Sequence, residues 1–226
     1  MGPEKRLRNY TFAPNMQNKF PFKTDIKNII FDLGGVILNI DYHLTSQAFK
    51  NLGLADFDNN YSQAKQSHLF DRFETGVVEP EQFRQQLKSY FSQTVSDAEL
   101  DTAWNAMLLD LPQERIDLLK ELSKKYRLFL LSNTNIIHYR AYSAYLQETF
   151  GKMIFDEIFE KQYLSFKIGM RKPDKEIFEL VLNENKLLAS ETLFVDDSIQ
   201  HIEGAEKTGI AAYHLKTTET ILDVFA

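Results

Sequence analysis

The sequence contains no cysteine among its 226 residues. This absence excludes disulfide bonds, thiolate metal ligands and a cysteine nucleophile. The sequence also lacks an apolar run near the roughly 18 residues that a membrane span requires. Its basic, polar N-terminal stretch lacks the apolar segment of a signal peptide. We therefore expect a cytoplasmic protein with no membrane partner.

Positive charge is also scarce in this sequence. Lys and Arg number 26 against 32 Asp and Glu, which gives a formal net charge of -6. A nucleic-acid-binding protein needs a basic face to meet the phosphate backbone, so nucleic acid is not expected as the main partner. The hydrophobic content of 43% and the charged content of 26% are typical of a folded globular protein. The oligomeric state is not predicted.

Short apolar runs alternate with amphipathic segments through most of the chain. Runs of this kind are typical of strands that are covered on both faces of a parallel sheet. The predicted strands are residues 28–32, 127–132, 192–197 and 210–215, with 156–160 as a weaker candidate. The predicted helices are residues 112–126, 173–188 and 198–209. The alternation predicts an α/β fold with a doubly wound parallel sheet.

One long segment interrupts this alternation directly after the first strand. It contains several amphipathic helical patterns and no convincing strand, and Ser96 and Glu99 have the spacing of a helix capping box. We therefore predict that an all-helical cap is inserted into the core. The predicted parts are an N-terminal extension (1–22), the core (23–42 and 111–226) and the cap (43–110).

Polar side chains stand where the predicted strands end. These residues are Asp32, Ser132, Asn133, Asp196 and Asp197. Each of them alone fits a helix cap or a turn. Together they meet at the carboxyl edge of one sheet, where doubly wound folds bind ligands. Two carboxylates about 4 Å apart repel by about 4 kcal/mol at an effective dielectric of 20. A hard cation such as Mg²⁺ removes this repulsion, so a magnesium site explains the cluster better than separate caps do.

Four segments of the sequence resemble the haloacid dehalogenase superfamily. They are "IIFDLGGV", "LLSNTN", "GMRKPD" and "LFVDDSIQHIEGA", in this order along the chain. The resemblance is greatest to the branch that contains the alpha-D-glucose-1-phosphate phosphatases, on the segments "LSNTN", "LSFKIGMRKP" and "DDSIQHIEGAEKTGI". It implies a Rossmann-like hydrolase core, and the helical insert is similar to the first type of cap in the superfamily.

The resemblance implies a nucleophile and a metal site. Asp32 would attack phosphorus and form an aspartyl-phosphate. Mg²⁺ would be held by Asp32, by the backbone carbonyl of Gly34 and by Asp197, with Asp196 as an additional or water-mediated ligand.

The resemblance also implies a phosphate-binding set. Ser132 and the backbone amide of Asn133 would hydrogen-bond the phosphate oxygens. Lys172 would neutralise the phosphoryl charge and orient Asp32, which makes Lys172 both a catalytic and a substrate-binding residue.

Gly34 departs from the pattern of most phosphatases in this superfamily, which carry a second aspartate at that position. The second aspartate protonates the leaving group, and such assistance is typically worth about 10²- to 10⁴-fold. The candidates to replace it are Asp41, His43, His68 and Glu74, of which Asp41 is favoured because it lies near the predicted mouth of the site. Sugar 1-phosphates need less assistance, because the anomeric oxygen leaves more readily than an ordinary alkoxide.

These observations predict a Mg²⁺-dependent phosphatase for a small phosphorylated metabolite, such as a hexose 1-phosphate. Cap residues His68, Arg72 and Glu74 are expected to reach sugar hydroxyls. A 2-haloacid dehalogenase is the first alternative, but dehalogenases need no metal and do not keep paired acids such as Asp196 and Asp197. A non-catalytic phosphate-binding protein is the second alternative, and the intact nucleophile and lysine positions argue against it.

Overall fold

The computed structural model describes residues 25–54 and 68–225. The predicted N-terminal extension, residues 1–22, lies outside the described residues, as does part of the predicted cap, residues 55–67. No helix within the described ranges is long and apolar enough to cross a membrane.

Five parallel strands form the central sheet of the described chain. They are β1 (Asn28–Phe31), β2 (Arg127–Ser132), β3 (Lys161–Leu164), β4 (Thr192–Asp196) and β5 (Ala211–His214). The order across the sheet is β3-β2-β1-β4-β5, so the topology reverses at β1. β1 and β4 are buried along their whole length, because helices cover both faces of the sheet.

Four of the five described helices between β1 and β2 belong to the insert. They are α1 (Tyr42–Asn51), α2 (Leu69–Glu74), α3 (Pro80–Lys88) and α4 (Asp97–Asn105). The predicted capping box is present at the start of α4, where the Ser96 side chain accepts from the amide of Glu99 and the Glu99 side chain accepts from the amide of Ser96. These helices share an aromatic cluster in which Phe73 and Phe83 stack with ring centroids 3.9 Å apart. The cap boundaries of 43–110 stay a prediction.

The remaining helices cover the two faces of the sheet. They are α5 (Gln113–Ser123), α6 (Ile136–Phe150), α7 (Phe155–Ile158), α8 (Ser165–Ile168), α9 (Lys175–Asn185), α10 (Ile199–Glu206) and α11 (Ile221–Phe225). On one face α5, α6 and α11 pack against the side chains of Ile29 and Phe31. On the other face α9 and α10 pack against Ile30 and Phe129. The predicted doubly wound parallel sheet is confirmed.

The weaker strand prediction, residues 156–160, is wrong. Most of that segment belongs to the short helix α7, because Phe155 and Ile158 share one helical face that is buried in the core. The strand that was expected there is β3, which begins at Lys161 and pairs with β2 at the sheet edge. Its first residues, Lys161 and Gln162, are polar, so periodicity alone does not reveal it.

The helical insert leaves and rejoins the core through two paired segments. Ile40 and Leu108 form an isolated antiparallel bridge. The amide of Asn39 donates to the carbonyl of Asp110 at 3.0 Å, and the amide of Leu109 donates back to the carbonyl of Asn39 at 3.0 Å. The two chain segments that join the insert to the core therefore lie side by side, beside the carboxyl end of β1. We refer to this pairing of residues 39–40 with residues 108–110 as the neck.

Candidate active site

Lys172 lies at the centre of the candidate site, with no exposed surface. Its Nζ donates to Asp32 Oδ1 at 2.5 Å, to Asp196 Oδ2 at 2.7 Å and to the carbonyl of Leu131 at 2.9 Å. Burial alone lowers the pKa of a lysine, but the charges of Asp196 and Asp32 outweigh it and hold the pKa of Lys172 above its usual value. The ammonium group is therefore a fixed positive charge between two carboxylates.

The loop that carries Lys172 is fastened to the end of β2. The side chain of Asn133 donates through Nδ2 to the carbonyl of Lys172 and accepts through Oδ1 from its amide, both at 2.9 Å. Ser132, the last residue of β2, is buried beside it. Both residues lie where the sequence predicts them. The role of the Asn133 side chain was missed, because the sequence assigned a function only to its backbone.

Asp32 follows β1 directly and is buried, with 7% of its surface exposed. Its amide donates to the carbonyl of Val195 at 2.9 Å, which continues the pairing of β1 with β4. Burial and the charges of Asp196 and Asp197 raise the pKa of Asp32 to about 7, although Lys172 acts in the opposite direction. The positive charge of Lys172 therefore compensates only part of the cost of a negative charge on Asp32.

Asp196 ends β4 and is fully buried. Its Oδ1 accepts from the amide of Ser198 at 2.8 Å and from Nδ1 of His201 at 2.9 Å. Burial raises the pKa of Asp196, but the charge of Lys172 and the hydrogen bond from His201 together lower it to about 2. Both carboxylate oxygens thus have protein donors. The predicted role of Asp196 at the metal stays a prediction, and His201 is a neighbour that the sequence analysis missed.

Asp197 lies against the glycine turn that follows β1. A Cβ at Gly35 would sit 2.3 Å from Oδ2 of Asp197, and Gly35 has a φ of +77°. Glycine is therefore required here both by the backbone conformation and by the space that the carboxylate occupies. Partial burial and the charge of Asp196 raise the pKa of Asp197. Gly34 lies in the same turn, where its backbone bridges to Leu38.

The chemistry of these donors fits a hard divalent cation. Burial and the neighbouring carboxylates raise the pKa values of Asp32 and Asp197, and the charge of Lys172 offsets this only in part. The available ligands are oxygen atoms, as Mg²⁺ prefers. Among the described residues no group of three His, Asp or Glu side chains is arranged to hold a metal. The predicted set of Asp32, Asp197 and the carbonyl of Gly34, with Asp196 as an additional or water-mediated ligand, stays a prediction.

The candidates for the missing acid lie in different surroundings. Asp41 is exposed and caps α1 by accepting from the amide of His43 at 2.9 Å. His43 is also exposed, and His68 has 74% of its side chain exposed and contacts Asp71. Glu74 differs from all three, because its carboxyl group is buried at the end of α2 and burial raises its pKa.

Arg171 connects the insert to the catalytic loop, and the sequence analysis missed it. Its Nη1 contacts Oδ1 of Asp71, and its Nη2 lies 2.9 Å from Oε2 of Glu74. Both acids belong to α2, and Arg171 directly precedes Lys172. The "GMRKPD" segment contains the arginine, but no sequence feature indicates which acids face it.

The haloacid dehalogenase-like hydrolase family matches residues 26–209. This chain belongs to that family. It is 35% identical over 190 residues to a D-ribitol-5-phosphate phosphatase of Bacteroides thetaiotaomicron, over 83% of this chain and 91% of the relative.

Two solved structures of family members are similar to this chain. One is a haloacid dehalogenase family enzyme of Bacteroides thetaiotaomicron, solved in complex with magnesium and inorganic phosphate. It has a TM-score of 0.79 at 35% identity, over 89% of this chain and 100% of that one. The other is a predicted hydrolase of the family from Porphyromonas gingivalis, with a TM-score of 0.77 at 31% identity, over 86% of this chain and 93% of that one.

Membership of the haloacid dehalogenase-like hydrolases confirms the predicted superfamily, the fold class and the assignment as a hydrolase. The predicted branch is not confirmed, because the relative is named for a 5-phosphate and the prediction named a 1-phosphate. The structure brings Asp32, Lys172 and Asp196 into direct contact, with Asn133 beside them. Their individual roles in the reaction stay predictions.

Proposed function

We propose that this haloacid dehalogenase-like hydrolase is a Mg²⁺-dependent phosphatase of small sugar or polyol phosphates. The observation that carries the proposal is the buried contact of Lys172 with Asp32, 2.5 Å from Nζ to Oδ1. A carboxylate held beside an ammonium group, with Asp197 against the neighbouring turn, is suited to attack a phosphoryl group that carries negative charge.

The proposed reaction has two displacements at phosphorus. A carboxylate oxygen of Asp32 attacks, the bond from phosphorus to the substrate oxygen breaks, and the departing alcohol takes up a proton. Water then attacks the aspartyl-phosphate, which releases inorganic phosphate and restores Asp32. Lys172 balances the charge on the phosphoryl oxygens, while Ser132 and the amide of Asn133 bind them.

Mg²⁺ would be held by Asp32, Asp197 and the carbonyl of Gly34, with Asp196 as an additional or water-mediated ligand. When bound, it would supply positive charge to the phosphoryl oxygens and to the two under-compensated carboxylates. The raised pKa values of Asp32 and Asp197 support this assignment. The relative solved with magnesium and inorganic phosphate supports it independently.

Two substrate classes compete within this proposal. The relative named as a D-ribitol-5-phosphate phosphatase favours an open-chain polyol phosphate. The glycine at position 34 favours an anomeric phosphate such as a hexose 1-phosphate, since that leaving group needs less help from an acid.

The test is release of inorganic phosphate from ribitol 5-phosphate, glucose 1-phosphate and glucose 6-phosphate, with and without Mg²⁺. Asp32→Asn is the control for the nucleophile. We expect release that requires Mg²⁺ and that Asp32→Asn abolishes, and the ratio between the substrates then identifies the class. Chloride release from 2-chloropropionate without phosphate release would instead show a dehalogenase. Phosphate binding without turnover of any substrate would show a binding protein.

A further inference from the structure

Both oxygens of the Asp196 carboxylate accept hydrogen bonds from more than one protein donor. Oδ1 accepts from the amide of Ser198 at 2.8 Å and from Nδ1 of His201 at 2.9 Å. Oδ2 accepts from Nζ of Lys172 at 2.7 Å and lies 3.0 Å from the same nitrogen of His201. These contacts account for the roughly four lone-pair directions of a carboxylate, so the protein itself fixes the orientation of this group.

His201 differs from the other two donors in its position on the carboxylate. Its Nδ1 is almost equally far from the two oxygens, at 2.9 Å and 3.0 Å, and therefore opposes rotation of the carboxylate in either direction. Because a carboxylate only accepts hydrogen bonds, Nδ1 is a ring nitrogen of His201 that carries a proton. Ser198 and Lys172 each reach a single oxygen. His201 is thus the donor that holds the carboxylate as a whole.

The orientation of Asp196 affects the nucleophile through Lys172. Nζ of Lys172 lies 2.5 Å from Oδ1 of Asp32 and 2.7 Å from Oδ2 of Asp196, so two carboxylates attract the ammonium group at once. If the carboxylate of Asp196 turns, one of these attractions weakens and the ammonium group moves with respect to Asp32. A displacement of about 1 Å at a reacting group can lower a rate about 10²-fold.

His201 lies where a side chain can be exchanged without opening the core. It belongs to the first turn of α10, five residues after Asp196, and 20% of its side chain is exposed. The side chains of Asp196 and Lys172 have no exposed surface. Ser198 contributes its backbone amide, which no side-chain substitution removes. Among the described donors to Asp196, His201 is therefore the one whose removal leaves the lysine and the backbone in place.

We propose that His201 is a positioning residue that orients Asp196 and thereby holds Lys172 in place against the nucleophile. This inference rests on the proposed phosphatase function and adds to it a residue that does not touch the substrate. His201 acts on the reaction through Asp196 and the ammonium group of Lys172.

The test compares His201→Leu with His201→Asn. In asparagine the Nδ2 amide group is bonded to Cγ, as Nδ1 is in histidine, so His201→Asn keeps a donor to Asp196. Leucine has a methyl group in that place and donates nothing. We measure kcat/KM for the phosphate ester that the wild type hydrolyses fastest among the three named above. It should fall about 10- to 100-fold in His201→Leu, and His201→Asn should restore most of the loss.

The ammonium group of Lys172 gives a second readout that does not depend on turnover. A buried ammonium group with hydrogen bonds exchanges its protons with water slowly and therefore gives a signal in proton–nitrogen NMR spectra, which Lys172→Arg identifies by its absence. We expect faster proton exchange at this signal in His201→Leu and a return toward the wild-type rate in His201→Asn.

Gln200→Leu is the matched control for both measurements. Gln200 is the exposed neighbour of His201 on α10, so the variant places the same side chain on the same helix without touching Asp196. It should leave the Lys172 signal and kcat/KM at their wild-type values. If His201→Leu folds poorly, His201→Ala removes the donor without adding bulk.

Each alternative result has a definite meaning. An unchanged Lys172 signal in His201→Leu overturns the inference, because His201 then does not hold the ammonium group. Equal losses of kcat/KM in His201→Leu and His201→Asn also overturn it, since the donor at that position then has no effect. A thermal stabilisation by Mg²⁺ that is lost in His201→Leu overturns it as well and assigns His201 to the metal site. If the wild type releases no phosphate, the proposed function fails, and the NMR comparison alone then decides whether His201 fixes Lys172.

Discussion

The charge of Lys172, for which we propose a role in the reaction, also serves the folded state. Its ammonium group is the donor shared by Asp32 and Asp196, and all three groups are buried. Removing one partner from such a cluster leaves uncompensated charge in the interior, which is far more costly than losing a surface ion pair. We therefore predict that stability and activity depend on the same nitrogen atom.

Replacing Lys172 with methionine tests this dependence. We expect the free energy of unfolding to fall by about 3–5 kcal/mol, because both carboxylates lose a buried partner. Phosphate release should also be lost. Urea unfolding and the phosphate assay measure the two effects.

The matched control is Lys175→Met. Lys175 lies three residues further along the chain, is exposed and pairs with Glu179 on α9. It should change stability by no more than about 0.5 kcal/mol. A Lys172→Met protein as stable as this control would contradict the argument.

Sequence patterns predict the site residues that lie at the ends of strands. Asp32 and Asp196 follow buried apolar runs, and parallel strands bring such positions to one edge. Contacts between distant segments leave no such pattern. Arg171 and Asp71 are 100 residues apart, and each is an ordinary charged residue in its own stretch of sequence. Only the packing of α2 on the core brings them together.

At the scale of elements, an uninterrupted apolar run decided which strands were predictable. β1, β2 and β4 are the inner strands, and their apolar runs reflect coverage on both faces. β3 is an edge strand that begins with Lys161 and Gln162, and the apolar residues before it fold as α7 instead. The polar start of β3 explains the error, since the other edge strand, β5, begins with an apolar run and was predicted.

The approach of the helical insert to the core depends on Gly76, which follows α2. Gly76 has a φ of +69°, and a Cβ there would lie 2.3 Å from the carbonyl oxygen of Phe166 in α8. We expect Gly76→Ala to destabilise the protein through both the backbone conformation and this clash. Thermal unfolding and kcat/KM measure whether the insert is displaced.

Gly151 offers a control for the backbone contribution. It has the same φ of +69° at the end of α6, and a Cβ there would meet nothing within 4 Å. Gly151→Ala should cost about 1–2 kcal/mol. Gly76→Ala should cost about 1–3 kcal/mol more than that. Equal losses for the two variants would show that the contact with Phe166 relaxes freely.

The contact between α4 and α6 contains a buried histidine that makes stability depend on pH. His138 stacks on Trp104 with ring centroids 5.3 Å apart, and its Nδ1 lies 2.8 Å from Oδ1 of Asn105. Burial lowers the pKa of His138 from its ordinary value of 6.5 to about 3. The unfolded chain therefore binds a proton at pH 5, whereas the folded protein does not.

The free energy of unfolding should consequently decrease as the pH falls from about 6.5 toward 3, by up to about 1.4 kcal/mol per pH unit from this residue. Urea unfolding at several pH values measures the slope. His138→Leu should remove this part of the slope, and His43→Leu, at an exposed position on α1, should not. An unchanged slope in His138→Leu would contradict the assignment.

At the scale of the whole molecule, metal binding should stabilise the fold. Asp32 follows β1 and Asp197 follows the neighbouring strand β4, so a cation held between them links two segments that are far apart along the chain. We expect Mg²⁺ at 100 times its dissociation constant to add about 2.7 kcal/mol to the free energy of unfolding. Thermal unfolding with and without the ion measures this effect.

Asp197→Asn should weaken the response to Mg²⁺, because it removes a ligand while keeping the shape of the side chain. Asp117→Asn, at an exposed position on α5, is the matched control and should respond as the wild type does. If both variants respond equally, the metal does not bind at the site proposed here.

The neck has a consequence for how such a molecule can acquire new substrates. Because Asn39 and Asp110 are hydrogen-bonded to each other, the segment between them begins and ends at a single point of the core. A segment attached in this way can be lengthened, shortened or replaced by another without moving either flanking strand. Asp32 and Lys172 lie on the core side of this junction, so a change within the inserted segment leaves intact the strands that position them.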